Sequence, residues 1–169
     1  GDLFDLFDLL TDAPMIVMHA SAEPVLDEER EARLAQAQEA FQRIGAKVAK
    51  LGKQVAIEYL PRTCLGNTVA ELERILAPLD PTTFGVCLDV NHPLGRAAQI
   101  PDIVRELDHR LITLHLSDFD DIDEQHLPPG RGVIDWHAFK VALGDIGYSG
   151  PFNYECHFDG DTPAARMAE

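Results

Sequence analysis

Residues 84–92 read Phe84-Gly85-Val86-Cys87-Leu88-Asp89-Val90-Asn91-His92, an apolar run that ends in a carboxylate and is followed at once by an imidazole. A run that is apolar on both faces predicts a strand covered on both sides, as in a parallel sheet flanked by helices. The same form recurs outward in both directions. Upstream lie residues 15–19 (MIVMH) and 55–58 (VAIE), and downstream lie 111–115 (LITLH) and 152–155 (FNYE). Each run ends in, or contains, an ionisable side chain.

Helical patterns separate the runs. Over residues 27–51, Leu34, Ala37, Phe41, Ile44, Val48 and Leu51 recur at three- and four-residue spacing, which marks one face of a helix. Asn67 or Thr68 can cap a helix over 69–79, with Leu72, Ile75 and Leu79 inward and Pro81 just beyond its end. Helices over 100–107, with Pro101 in the first turn, and over 136–146 complete a β-α-β-α-β-α-β-α-β order. A doubly wound sheet and a β/α barrel both satisfy that order. No Gly-x-Gly-x-x-Gly follows any of the runs, which removes the best sign of a dinucleotide fold. The barrel gains by comparison, because its site is assembled from the C-terminal ends of several strands.

Length then constrains the reading. A complete (β/α)8 barrel takes about 250 residues, and this chain has 169. The opening, with Leu3, Leu6, Phe7 and Leu10 on one side and Asp2, Asp5 and Asp8 on another, reads as a helix leading into the first strand. Thr162, Pro163, Ala164, Ala165 and Arg166 read as the start of a further helix. The expectation is therefore a single domain over 1–169, cut at both ends of a larger repeat. The remaining strands would come from more chain or from a partner, a homo-oligomer being one way to supply them.

Composition bounds the partners. A chain 46% hydrophobic and 25% charged has ordinary globular composition. Its longest apolar stretch, around Met15 to Met18, is far short of the roughly 20 residues of a membrane span, which predicts a soluble protein with no membrane partner. The opening Gly1-Asp2-Leu3-Phe4-Asp5 has no basic segment or small-residue cleavage site, so a cytoplasmic location is expected. Cys64, Cys87 and Cys156 cannot all pair, so reduced thiols are expected. A net charge of −15 argues against nucleic acid as the main ligand, since a duplex-binding surface must neutralise phosphates.

The polar strand ends are His19, Glu58, Asp89, His115 and Glu155. Singly, His19 could be a core histidine, and Glu58 or Asp89 could cap the next helix. Together they read as a metal site, because gathering several carboxylates is costly unless a cation compensates them. Mixed nitrogen and oxygen ligands suit Mn2+, Mg2+, Co2+ or Zn2+. His92 follows Asp89 at a strand-to-helix turn, where both can reach one pocket. The long acidic segment 118–136 carries a Pro128-Pro129-Gly130-Arg131-Gly132 core that could hold Arg131 or His126 over the pocket mouth. A merely solvated loop is the alternative.

In order and spacing, Ile57-Glu58-Tyr59-Leu60-Pro61-Arg62, the run from Gly85 to His92, His115-Leu116-Ser117-Asp118, the run from His126 to Trp136 and Tyr154-Glu155 together resemble the sugar phosphate isomerase/epimerase family. This is the xylose-isomerase-like TIM barrel superfamily, which also holds the endonuclease IV-type DNA repair enzymes. The match runs from His19 to about Glu155 and corresponds to strands three to seven of that barrel. The resemblance implies an α/β fold, a partial (β/α)8 barrel of about five β/α units. It also implies one divalent metal ion held by Glu58, Asp89, His115 and Glu155, with His92 beside the substrate. His19, Arg62, His126 and Arg131 complete the expected substrate-binding set.

The implied enzyme is a metal-dependent isomerase or epimerase of a sugar-like substrate, working by proton transfer through an enediolate. Glu58 and Glu155 would be its acid/base pair. A dehydratase on the same scaffold, an endonuclease IV-like zinc phosphodiesterase and a non-catalytic binding member are the alternatives. One departure and one further likeness matter. The ketose epimerases keep an arginine where this chain has Asp121. In the nuclease-like members a loop histidine binds a further zinc, and His126 stands at its place.

Overall fold

The computed structural model describes residues 12–157. The helices expected over 3–10 and from 162 onward lie outside the described residues. Each apolar run forms a strand: β1 (Met15–Met18), β2 (Gln54–Tyr59), β3 (Phe84–Asp89), β4 (Leu111–Leu116) and β5 (Phe152–Tyr154). Between them run α1 (Asp27–Lys50), α2 (Val69–Leu76), α3 (Ile100–Leu107) and α4 (Trp136–Asp145). All neighbouring strands are parallel and their order in the sheet is their order in sequence. The result is an open, curled half-barrel. Right-handed crossovers between adjacent parallel strands keep the helices on one face of such a sheet.

Strand periodicity then divides the side chains. Val55, Ile57 and Tyr59 of β2, Val86 and Leu88 of β3, and Leu114 and Leu116 of β4 join the apolar core with Phe41 and Val48 of α1, Leu72 and Ile75 of α2, and Val104 of α3. The alternate residues Glu58, Cys87, Asp89, Thr113 and His115 therefore share the opposite, concave face. A slip of one residue would exchange the two sets.

Helix boundaries follow local chemistry. The α1 helix carries Asp27, Glu28 and Glu29 in its first turn and Lys47 and Lys50 in its last, opposing the macrodipole at both ends. Thr68, not Asn67, caps α2, its hydroxyl accepting from Glu71 N at 3.2 Å. That helix stops at Leu76, short of the expected 79, because Pro78 has no N–H to donate and its ring crowds the preceding turn. Leu79 is buried nonetheless. A 3-10 turn, Ala97–Gln99, leads into α3, and Gln99 makes no side-chain cap bond. Asp135 caps α4 by accepting from Ala138 N at 2.9 Å.

One irregularity positions the site. The β3–β4 pairing shifts between Val86 and Cys87: Val86 pairs with Leu111, but Cys87 pairs with Thr113 and Asp89 with His115. Without the extra residue, Asp89 would face Leu114. Gly85 makes room for the bulge, since a Cβ there would lie 2.6 Å from Ile112 Cγ2 and 2.8 Å from the Arg110 carbonyl oxygen. Gly85→Ala should accordingly destabilise the chain by about 1–3 kcal/mol in urea unfolding. An unchanged midpoint and slope would show that the bulge does not need the glycine.

Candidate metal centre

Glu58, Asp89 and His115 stand at or next to the C-terminal ends of β2, β3 and β4, and Glu155 follows β5. Their ligand atoms all lie within 4.8 Å of one another. His115 Nδ1 is the hub, 2.8 Å from Glu155 Oε2, 3.2 Å from Glu58 Oε1 and 4.0 Å from Asp89 Oδ2. Glu58 and Asp89 are buried, whereas the Glu155 side chain is 53% exposed. The pocket thus has a closed floor and an open wall.

Electrostatics separate the carboxylates. Burial works to raise the Glu58 carboxyl, but hydrogen bonds from His115 and His19 outweigh it and hold the group at about 2. Burial pushes Asp89 up to about 6, with the charges of Glu58 and Glu155 adding to the rise and the charge of His92 opposing it. Its Oδ1 accepts from Asn91 N at 2.8 Å, while Oδ2 is buried with no hydrogen-bond partner. A buried carboxylate oxygen with an unmet partner, facing another carboxylate and an imidazole, fits a cation. The donor set of three carboxylates and an imidazole suits a hard or borderline divalent ion.

The remaining expected residues divide. His19 Nε2 lies 2.8 Å from Glu58 Oε2, which aims that carboxylate although the His19 side chain is 61% exposed. His92 is buried, and its Nδ1 donates to the Tyr59 carbonyl at 2.7 Å, leaving Nε2 3.6 Å from Asp89 Oδ2. His126 Nδ1 bonds the Glu155 carbonyl oxygen at 2.9 Å. Arg62 makes no direct contact with the four cluster residues: its guanidinium bonds Asp123 and Glu124, the latter at 2.5 Å, and so ties the loop after β2 to the loop after β4, with Glu124 Oε2 3.8 Å from His92 Nε2. Arg131 sits at the exposed turn of that same loop, its backbone N–H donating to the Pro128 carbonyl at 3.1 Å.

Several participants escaped the sequence reading. Cys87 lies two residues before Asp89 on the same strand face, and its sulfur forms a second possible metal group with Glu58 and His115. Strand alternation alone could have found it. Asp121, where an arginine stands in the ketose epimerases, accepts from Ala97 N at 2.8 Å and pins the acidic loop against the segment before α3.

Asp118 is the larger omission. Fully buried, it accepts from Phe119 N, Gly130 N, Ile134 N and Trp136 Nε1 at 2.8–3.2 Å. Its backbone also forms an antiparallel bridge with Leu127. The long acidic segment is therefore an ordered loop hung on one carboxylate. Gly132 is required there, because a Cβ would collide with Asp118 Oδ1 and the Phe119 backbone.

A family profile described as "Xylose isomerase-like TIM barrel" matches residues 4–169. Among curated relatives, the chain is 28% identical over 108 residues to the uncharacterized protein MJ1311 of Methanocaldococcus jannaschii, covering 62% of this chain and 37% of that protein. It is 27% identical over 118 residues to the inosose isomerase of Halalkalibacterium halodurans, covering 65% of this chain and 42% of that one. The chain thus spans about two fifths of the length of these relatives. The crystal structure of D-psicose 3-epimerase with D-tagatose from Clostridium cellulolyticum H10 superposes with a TM-score of 0.79 at 24% identity, over 98% of this chain and 58% of that one. That likeness establishes the fold.

Asp118→Ala would strand several buried N–H donors. It should cost about 3 kcal/mol or more in chemical denaturation, with Asp118→Asn losing about half as much. A loss below about 1 kcal/mol for the alanine variant would contradict the central place of this carboxylate.

Proposed function

The chain belongs to the xylose-isomerase-like TIM barrel family, and from that premise we propose that it carries the site of a divalent-metal-dependent isomerase or epimerase. The substrate is a small sugar-like carbonyl compound, and the reaction is proton transfer through an enediolate. The observation that carries this reading is the buried, unpartnered Asp89 Oδ2 facing the imidazole of His115 inside a cluster of carboxylates. We further assign residues 1–169 to one partial barrel domain. Among the described residues β1 and β5 each pair with a single neighbour, and strands from further chain or from a second copy would cover those edges.

Glu58, Asp89, His115 and Glu155 would hold the ion. When bound, it would polarise the substrate carbonyl and offset the negative charge that develops as the neighbouring C–H bond breaks. The protein supplies the rest. Glu58, aimed by His19, and Glu155, on the open wall, are the acid/base pair, one taking a proton from carbon and the other returning it. Return to the opposite face of the same carbon gives an epimer. Return to the adjacent carbon gives an aldose–ketose isomer. His92, its ring fixed by the Tyr59 carbonyl, presents Nε2 to a substrate oxygen, and the loop carrying His126 and Arg131 shields the mouth.

No helix among the described residues is long and apolar enough to cross a membrane. The three free cysteines support a cytoplasmic setting, and the net charge of −15 supports a small-molecule substrate over nucleic acid.

Solvent exchange tests this assignment. With Mn2+ in deuterated water, inosose, D-tagatose, D-psicose and D-fructose are followed by NMR. At least one should gain deuterium at carbon, and Glu155→Gln should abolish the exchange while leaving the circular dichroism spectrum intact. Exchange accompanied by loss of water would assign a dehydratase, and retained exchange in the variant would remove Glu155 from the chemistry.

Proton competition supplies a second test. The hydrogen bond to Glu58 raises the His115 pKa above its ordinary 6.5, against the opposing effect of burial. A metal ligand must shed its proton, so below that raised pKa the affinity for Mn2+ should fall by about tenfold per pH unit, and more steeply below about 6, where Asp89 takes up a proton as well. Above it, calorimetric titration should give a flat profile. An affinity indifferent to pH from 5 to 8 would exclude His115 as a ligand.

A further inference from the structure

Glu155 occupies the least secure position in the cluster. It follows a three-residue strand, β5, at the edge of the described sheet. Its backbone is nevertheless held on both sides. The Glu155 N–H donates to the Leu116 carbonyl of β4 at 3.0 Å. On the other side, His126 Nδ1 donates to the Glu155 carbonyl at 2.9 Å, and the His126 carbonyl accepts from His157 N at 2.7 Å. A carbonyl oxygen can only accept, so Nδ1 carries the ring proton.

His126 is itself set for this contact. It has φ +49°, a left-handed conformation in which histidine and asparagine are enriched and most side chains are strained. The residue after it, Leu127, is locked to Asp118 by the antiparallel bridge, with backbone bonds of 2.7 and 2.9 Å. The His126 and His157 rings meet edge to face with centroids 5.7 Å apart. The acidic loop thus supplies the edge strand with a substitute neighbour.

We infer that His126 is a positioning residue that holds Glu155 in the metal cluster through the Glu155 backbone carbonyl, and that it contacts neither a second metal nor the substrate. This rests on the reading of Glu155 as a metal ligand. Partners that orient a ligand typically govern metal affinity by 10–100-fold.

The atom that matters is Nδ1, which distinguishes this role from a ligand or substrate role at Nε2. Asparagine places an N–H close to the position of Nδ1 and tolerates positive φ; glutamine reaches toward Nε2; glycine keeps the backbone conformation and supplies no donor. Mn2+ affinity is measured on the full chain from the electron paramagnetic resonance signal of the free ion, for wild type, H126N, H126Q, H126G and E155A, each checked by thermal melting. H126N should stay within about twofold of wild type, while H126Q and H126G should weaken binding by about tenfold or more, in the direction of E155A. Glutamine that matches wild type where asparagine does not would make Nε2 the working atom and overturn the inference. H126G and H126Q indistinguishable from wild type, with E155A weakened, would overturn it alone. Wild type that binds no Mn2+ would instead overturn the metal reading on which it rests.

Discussion

Two carboxylates, Glu58 and Asp89, are taken out of water on neighbouring strands, and the rest of the site is arranged around that cost. In a low-dielectric setting like charges repel strongly, and each must find a cation or a donor. Glu58 finds two imidazoles and is held ionised. Asp89 has one backbone donor for one oxygen and none for the other, so burial raises its pKa to about 6. The same environment thus sets two identical functional groups apart, one satisfied within the protein and one directed outward.

Geometry delivers these groups through the sheet. Period-two alternation sends the apolar residues to the helices and the ionisable ones to the concave face, and the β3–β4 bulge turns His115 toward Asp89. The wall completed by Glu155 depends instead on a loop. Asp118 anchors that loop from within, and Arg62 and Asp121 tether it to the loops after β2 and β3. Rigid strands and a stapled loop contribute to one cluster by different means.

Much of this was legible in the sequence. The five strands and four helices form where the apolar patterns place them, because continuous apolar runs and three- and four-residue spacing are strong signals, although β5, expected to be covered like the others, is exposed. The four strand-end residues that gather at the cluster, Glu58, Asp89, His115 and Glu155, were legible for the same reason. What could not be read was register and pairing. A bulge depends on which residue of β4 lies opposite Asp89, and no local pattern encodes it. Arg62 shows the matching difficulty for charge, since its guanidinium is engaged by the acidic loop, which lies far away in sequence. Pro78, by contrast, was a readable stop for α2 that the more distant Pro81 obscured. The burial of Asp118 carried no periodic signature, because its partners are backbone groups of an irregular loop.

The agreement between strand order in the sheet and strand order along the chain has a consequence for biosynthesis. Every pairing spans an intervening helix, so each addition requires a long closure, and parallel sheets of this kind fold slowly. A chain emerging from the ribosome can nevertheless lay each strand on the one already in place, with no earlier edge reopened. Glu155 arrives last among the four cluster residues. The four residues can therefore come together only once β2, β3 and β4, which carry the other three, have been made.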